Sequence, residues 1–326
     1  MSIISVRNAI KDALAEEMRR DDKVFLQGES IGKYGGCFKV TEGLIDEFGP
    51  RRVKDTPLSE SVIVGSGIGA ALYGYRPVVE IMFADFMALA MDQMVNNAAK
   101  MRYMHDGKQD LPIVIRAPQG AGMTMGPHHS QSVEAWLMNI PGLKIVLPSN
   151  AYDAKGLLKS AIRDNDPVIF LENKLLYNEK GEVPDGEDYT VPIGKAKVVR
   201  EGKDLTIISY SHMMKKVLKV AETMQKQGIE IEVVDLRTLR PLDVETITES
   251  VKKTGRALIV HEATVFGGAG AEIATTIQKE AFDYLDAPIE RVGAVESPVP
   301  FSPVLEDAYL PNEEKIIKAV NNMLNL

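Results

Sequence analysis

Residues 56–60, Thr56-Pro57-Leu58-Ser59-Glu60, stand where an extended segment, Arg52 to Thr56, gives way to a small-residue helix starting near Ser61. In an α/β protein such a junction lies at the carboxyl edge of the sheet, where ligands bind. Glu60 therefore has the position of a working carboxylate, with apolar and small neighbours rather than other charges around it. The same residues also have a purely structural reading. Ser59 would cap the helix and Glu60 would be a first-turn acid favoured by the helix dipole, an effect of about 0.3–1 kcal/mol. Local sequence leans to that second reading.

Other groupings bear on chemistry. Val62 to Ala70 reads Val-Ile-Val-Gly-Ser-Gly-Ile-Gly-Ala, which fits the dinucleotide fingerprint, with Gly65 and Gly67 in the turn and Asp85 downstream as the ribose ligand. That reading makes the chain a dinucleotide-dependent oxidoreductase, whereas close helix packing explains the same glycines without a ligand. Only Ser61 to Val64 is left to form the motif's strand, which weighs against it. Gly120 to Ser130 is a glycine-rich loop holding the paired His128 and His129. Adjacent histidines diverge and rarely share a metal, so proton donation or substrate contact is the sharper reading and an idle loop histidine the plainer one. Phe83, Asp85 and Phe86 follow a strand and place an aromatic at the same edge as Glu60, although core packing is the common fate of such a phenylalanine. His261 and Glu262, before Gly267 and Gly268, sit at the equivalent edge of a second domain, with a turn or interface role as the default. No Walker A sequence is present, nor Gly-Asp-Gly with a downstream Asn, the pattern that holds a Mg-diphosphate. A diphosphate cofactor would have to be gripped by another chain.

The elements that position these groups alternate. Strand candidates are Val24 to Leu26, Val53 to Thr56, Val78 to Phe83, Ile113 to Arg116, Lys144 to Leu147 and Val168 to Leu171. Helical patterns fall between them at Thr41 to Phe48, Ser61 to Tyr73, Phe86 to Met104, Ser132 to Asn139 and Tyr152 to Arg163. Alternation of this kind predicts a mostly parallel sheet covered by helices. Periodicity fades after residue 172, which gives a first domain at 1–180, a linker at 181–192 and a second domain at 193–326. In the second, Lys195 to Arg200 and Leu205 to Tyr210 flank Glu201-Gly202 and suggest a hairpin. Strands at Ile231 to Leu236, Ala257 to Val260 and Ile289 to Val292 then alternate with helices, the last at Asn312 to Leu326. The fold class is two parallel-sheet α/β domains.

Composition narrows the partners. With 46 acidic against 38 basic residues the net charge is −8, which favours neither nucleic acid nor an anionic membrane and leaves small molecules and proteins. Val6, Ile10, Leu14 and Met18 recur behind Ser5, so the amino-terminal segment reads as an amphipathic helix rather than an export signal. The longest apolar tract, Val78 to Met91, is broken by Glu80 and Asp85 and falls short of the roughly 20 residues a membrane span needs. The lone Cys37 excludes an internal disulfide and a Cys-cluster metal site, in keeping with a reducing cytoplasm.

Asp55-Thr56-Pro57-Leu58-Ser59-Glu60, Phe83-Ala84-Asp85-Phe86 with Asp92-Gln93, and His129-Ser130-Gln131-Ser132 resemble the beta subunit of the thiamine-diphosphate-dependent first component of 2-oxo acid dehydrogenase complexes. So do Pro141-Gly142-Leu143-Lys144 and Asp153-Ala154-Lys155-Gly156-Leu157-Leu158, and the likeness covers essentially the whole chain. Tyr177 to Lys197, Asp286-Ala287-Pro288-Ile289 and Pro298 to Asp307 look most like acetoin dehydrogenase beta subunits, with pyruvate dehydrogenase next. The resemblance implies a pyrimidine-binding domain followed by a transketolase C-terminal-like domain in an α2β2 heterotetramer. The alpha subunit would hold Mg and the diphosphate. Glu60 matches the family's cofactor glutamate and would hydrogen-bond the pyrimidine ring nitrogen, with Phe86 against that ring. His129 matches a loop histidine near the site mouth and would assist acyl transfer to the lipoyl group of an acyltransferase core. His128 stands where the family usually has another residue and receives no role. Ile113, Ala161, Ile162, Asp164 and Asp166 match positions that hold a potassium ion in some members, with Asp166 departing from an asparagine. A scaffold subunit that only completes another chain's fold is the non-catalytic alternative.

With a pyrimidine-side glutamate but no diphosphate grip, the isolated chain is expected to bind thiamine diphosphate and Mg weakly and to show no turnover. Titration calorimetry checks this. Tight Mg-dependent binding with turnover by the chain alone would remove the need for an alpha subunit.

Overall fold

The computed structural model describes residues 1–186 and 188–325. Glu187, inside the segment read as a linker, and Leu326, the end of the last expected helix, lie outside the described residues. The chain divides into two compact units, Met1–Gln119 with Trp136–Ile193 and Gly120–Ala135 with Gly194–Leu326. The glycine-rich loop thus groups with the second unit, although it lies inside 1–180 in sequence.

Through residue 183 the elements are β1 (Ser2–Ser5), α1 (Val6–Arg20), β2 (Val24–Gly28), α2 (Leu44–Phe48), β3 (Val53–Asp55), α3 (Glu60–Leu72) and β4 (Arg76–Glu80). There follow α4 (Met87–Asp92), a π-helical segment (Gln93–Ala98), α5 (Ala99–Met104), β5 (Val114–Gln119), α6 (Glu134–Met138), β6 (Lys144–Val146), α7 (Ala151–Arg163), β7 (Val168–Asn173) and β8 (Lys180–Val183). In the first unit the strands pair in parallel in the order β6-β7-β5-β4-β2-β3. β2, β5 and β7 are buried at every residue, as expected of a parallel sheet covered on both faces. In α1, Ser5 Oγ accepts from the Asn8 amide at 3.2 Å, and Val6, Ile10, Leu14 and Met18 bury their apolar stripe in one core with Leu157, Leu158, Ala161 and Ile162 of α7.

Two expectations are corrected in this unit. The amino terminus begins as a strand, with β1 antiparallel to β8, so Gly181, Glu182 and Val183, read as the start of the linker, are sheet partners of Ile4, Ile3 and Ser2. The one-strand reach of that pairing leaves no local periodicity to detect. Gly65 and Gly67 lie inside α3, and the Ser61 to Val64 stretch that a dinucleotide fold needs as a strand is helical. A Cβ at Gly67 would come 2.8 Å from Val79 Cγ1 and 3.0 Å from Ile113 Cδ1, so this glycine lets α3 lie close on the sheet rather than turn around a pyrophosphate.

The second unit contains β9 (Lys197–Arg200), β10 (Leu205–Ser209), α8 (Met213–Gln225), β11 (Ile231–Asp235), β12 (Thr238–Arg240), α9 (Val244–Thr254) and β13 (Ala257–Thr264). α10 (Ala269–Ala281), β14 (Glu290–Ala294), α11 (Pro303–Tyr309) and α12 (Glu313–Leu324) complete it. Its sheet runs β14-β13-β10-β11-β9, parallel except for β9. The expected hairpin does not form. β10 already has parallel partners on both sides, so β9 goes to the free edge of β11, where it pairs antiparallel. Met213, Val217, Val220 and Met224 of α8 share a core with Ile316 and Val320 of α12. Among the described residues, no helix is long and apolar enough to cross a membrane.

Leu14 is fully buried in the α1–α7 core. Leu14→Ala is expected to lower unfolding stability by about 2–5 kcal/mol. Urea unfolding of the chain, with the denaturant slope unchanged, checks this; a loss well under 1 kcal/mol would mean that α1 is not a packed part of the core.

Candidate functional site

In the first sheet β3 lies on one side of β2, and β4 with the remaining strands lies on the other, so the strand order reverses between β2 and β4. The crevice beyond those carboxyl ends is where open α/β sheets take ligands. Three carboxylates come from its walls. Glu29 follows β2 directly, Glu60 is the first residue of α3, and Glu80 ends β4. Gln27 ties the first two supports together, its Nε2 donating to Ile63 O at 2.6 Å and Ser66 Oγ at 3.0 Å across to α3.

Glu29 is 4% exposed, and neither of its carboxylate oxygens meets a hydrogen-bond partner among the described residues. Burial, then the negative charges of Glu60 and Glu80, push its pKa up. Glu60 is half-buried at the start of its helix. Ser59 provides no side-chain cap there, so the capping half of the structural reading fails while the first-turn position of Glu60 stands.

Glu80 is anchored from below. Arg116, 1% exposed, donates from Nη1 to Glu80 Oε2 at 2.8 Å and from Nε and Nη2 to both oxygens of Glu172 at 2.6 and 2.8 Å. Tyr177 OH donates to Glu172 Oε2 at 2.7 Å. Burial works against the charge on Arg116, but Glu172 and Glu80 more than offset it and hold the guanidinium firmly protonated. Burial still pushes Glu80 above its ordinary value, with Arg116 pulling the other way. Phe86, half-buried, meets Phe83 edge-on at 5.9 Å between ring centres, and Phe83 meets Phe38 in the same manner at 5.7 Å. The aromatic expected at this edge is therefore braced by two others.

The oxygens matched to a potassium site are engaged by protein donors. Arg76 Nη1 donates to Ile162 O and Asp164 O, each at 2.9 Å, and Lys144 Nζ contacts both oxygens of Asp164 at 2.7 Å and Asp166 at 3.0 Å. Ala161 O accepts from the Asp164 amide, and Ile113 O from the Val168 amide. Arg102 Nη1 also donates to Asp166 Oδ1 at 2.9 Å, so three protein cations meet this cluster. Among the described residues, no group of three or more His, Cys, Asp or Glu is placed to hold a metal.

The histidine pair belongs to the second unit. His128 is exposed and His129 half-buried at the far end of the glycine-rich loop. His261, by contrast, is wholly buried in β13, stacks on Tyr210 at 6.5 Å, and has its pKa lowered to about 4 by burial. It is a neutral core histidine, whereas its neighbour Glu262 accepts from the Ala121 amide at 2.7 Å.

Sequence reasoning singled out Glu60, Phe86 and His129 and passed over Glu29, Arg116 and Glu172. The available signal for Glu29 was a second carboxylate at a strand end, hidden because the strand seemed to stop at Leu26. Glu80 drew notice only as a charge breaking an apolar tract.

The pyrimidine-binding domain of transketolase matches residues 2–180 and the transketolase C-terminal domain matches residues 194–316. The chain is 49% identical to the pyruvate dehydrogenase E1 component subunit beta of Rickettsia felis, over 98% of each chain. It is 49% identical to the 2-oxoisovalerate dehydrogenase subunit beta of Bacillus subtilis, over 99% of each, and 49% identical to the pyruvate dehydrogenase beta subunit of Rhizobium meliloti, over 98% of this chain and 70% of that one. A solved split-gene transketolase, described as an inactive beta4 tetramer, superposes with a TM-score of 0.81 at 25% identity, covering 99% of both chains.

Because the folded chain raises the pKa of Glu29, it holds that proton more tightly than the unfolded chain does. The stability this group contributes is present below the ordinary carboxyl value of 4.5 and is lost as the pH rises through the shifted pKa. Glu29→Gln is therefore expected to raise the Tm of the isolated chain near neutral pH, with the gain closing towards pH 4.5. Thermal melts across that range check it. A variant less stable than wild type at pH 8 would mean that the ionised carboxylate has a partner.

Proposed function

The chain belongs to the family of beta subunits of the first component of 2-oxo acid dehydrogenase complexes, and from that premise we propose that it supplies the pyrimidine-side half of a thiamine diphosphate site. The carrying observation is the buried, unpartnered Glu29 beside Glu60 at the switch-point crevice. A carboxyl group left without a protein partner is expensive unless something completes the site. The donor set fits an aminopyrimidine: a half-buried carboxyl at the head of α3, a second carboxyl raised in pKa next to it, and the braced ring of Phe86. It does not fit a Mg-diphosphate, and an alpha subunit would hold that end.

When bound, thiamine diphosphate supplies a thiazolium carbon whose deprotonation creates a nucleophile for a substrate carbonyl. The residues of this chain serve that event by moving and holding protons. Glu60 would share a proton with the pyrimidine ring nitrogen through one carboxyl oxygen. Glu29, whose pKa is raised by burial and then by the charges of Glu60 and Glu80, would stand beside it in the same crevice. Arg116 fixes Glu80 as the negative wall of the site, and Phe86 gives the ring a flat apolar surface. In the second unit, His129 at the loop end would donate the proton that a dithiolane gains as its ring opens, histidine being able to do so near neutral pH.

The substrate we propose is a small 2-oxo acid such as pyruvate or 2-oxoisovalerate, decarboxylated with transfer of the acyl group to the lipoyl group of an acyltransferase partner. The curated relatives support it by name. Acetoin cleavage is the second reading, supported by Pro298 to Asp307 and Asp286 to Ile289. The substrate profile of the reconstituted alpha–beta pair separates them. The inactive beta4 transketolase supports an α2β2 assembly, since a chain of this fold associated only with its own copies lacks activity there.

Glu60→Gln is expected to preserve folding and assembly while slowing hydrogen–deuterium exchange at the thiazolium carbon by about 10²–10⁴-fold, because an amide fills the same space without carrying the proton. Exchange measured by NMR on the quenched holoenzyme checks this. Wild-type exchange in the variant would leave Glu60 as a helix-terminus acid.

A further inference from the structure

The second unit repeats the geometry of a ligand-binding sheet edge and closes it with its own chain. Its strand order reverses between β10 and β13, the place where a parallel sheet opens a crevice beyond its carboxyl ends. β10 pairs with β13 only as far as Ile208 and Ile259, so the following His261 and Glu262 project past the last paired rung, level with Tyr210 and Ser211. Into that edge runs the glycine-rich loop. The Ala121 amide donates to Glu262 Oε1 at 2.7 Å, and the Gly122 and Thr124 amides donate to the two oxygens of Glu306 at 2.7 and 2.8 Å. Tyr210 OH donates to Glu134 Oε1 at 2.9 Å, tying down the other end of the loop. Ala121 packs with Val299 and Leu310, and Gly126, with φ +70°, has the Phe301 ring where a side chain would stand.

Glu262 and Glu306 are 7% and 3% exposed. Ionised carboxylates so deeply placed must be met by donors, and here three closely spaced backbone amides meet them. The loop occupies the crevice as a ligand would, and the far end it carries is His128-His129.

We propose that Glu306, assisted by Glu262, is a positioning residue: by gripping the Ala121–Thr124 amides it holds the loop at the one height that presents His129 for acyl transfer. This rests on the reading of His129 given above. Glu306 touches no reacting atom, so its influence must pass through the loop. An amide at this position keeps the volume but offers one acceptor oxygen, turning its NH2 towards an amide that needs an acceptor.

The test uses the reconstituted alpha–beta holoenzyme bearing Glu306→Gln, His129→Ala or both, assayed with a lipoyl domain and with an artificial electron acceptor. Glu306→Gln is expected to lower lipoyl-dependent kcat by about 10–100-fold, the scale of losing a charge-assisted hydrogen bond. Acceptor turnover falls much less, KM for the lipoyl domain changes little, and amides of residues 120–131 exchange faster with deuterium. In the His129→Ala background the same substitution should add little, because both changes act on one histidine. Equal losses in both assays, full additivity with His129→Ala, or wild-type rates with wild-type amide protection would each overturn the proposal. His129→Ala impaired with Glu306→Gln silent overturns the positioning role alone, whereas His129→Ala silent in both assays overturns the reading of His129 and the proposal with it. If Glu306→Gln fails to assemble, Glu262→Gln, which replaces the charged acceptor of the Ala121 amide with a neutral one, is put through the same measurements.

Discussion

A guanidinium that almost never meets water carries the first unit. Arg116 stands on β5, between β4 and β7, and each of its neighbours brings a carboxylate to it, Glu80 from β4 and Glu172 from β7. Removing Arg116 would leave Glu80 and Glu172 buried without their cation, which is far costlier than the intact cluster is stabilising. Its worth is therefore in specification: the register of three parallel strands is pinned at their carboxyl ends. Glu80 is held ionisable at the crevice wall as a result, and its charge acts on Glu29. The electrostatics of the edge thus descend from an ion cluster that reaches it through Glu80.

The two units use one architectural edge in opposite ways. In the first, Glu29 and Glu60 are left facing a crevice without protein partners to satisfy Glu29. In the second, loop amides meet one oxygen of Glu262 and both oxygens of Glu306. The loop-bound pair holds a part of the protein still, whereas Glu29 meets no hydrogen-bond donor among the described residues. Glu29 and Glu262 are both buried at the carboxyl end of a parallel strand, and the hydrogen-bond inventory separates them.

Much of this was legible in the sequence, for reasons that can be named. The parallel strands announced themselves because burial on both faces makes unbroken apolar runs, and the α3 glycines were readable as packing because too little chain remained for a strand before them. β9 misled because a turn-like Glu201-Gly202 is indifferent to which strand accepts the next segment, a choice made by the free edge of β11. β1 and β8 were invisible because four residues pairing across nearly the whole first unit have no local period. Glu60 was singled out through its neighbours, whereas Glu29 needed the knowledge that β2 and β4 are adjacent. Arg116 could not be read as a hub at all, since its partners lie 36 and 56 residues away.

The placement of the glycine-rich loop has a consequence in time. A ribosome releases residues 120–135 long before it releases Glu262 and Glu306, so the segment emerges with its amide partners still unmade. Likewise the first residues of the chain cannot find β8 until Lys180 to Val183 have been synthesised. Both closures are long-range and come late, since a loop must be brought together before its contacts reward it. The loop of the second unit, Gly120 to Ser130, is therefore made well before the strand and helix whose carboxylates hold it. The last-made quarter of the chain thus supplies the carboxylates that hold the loop in place.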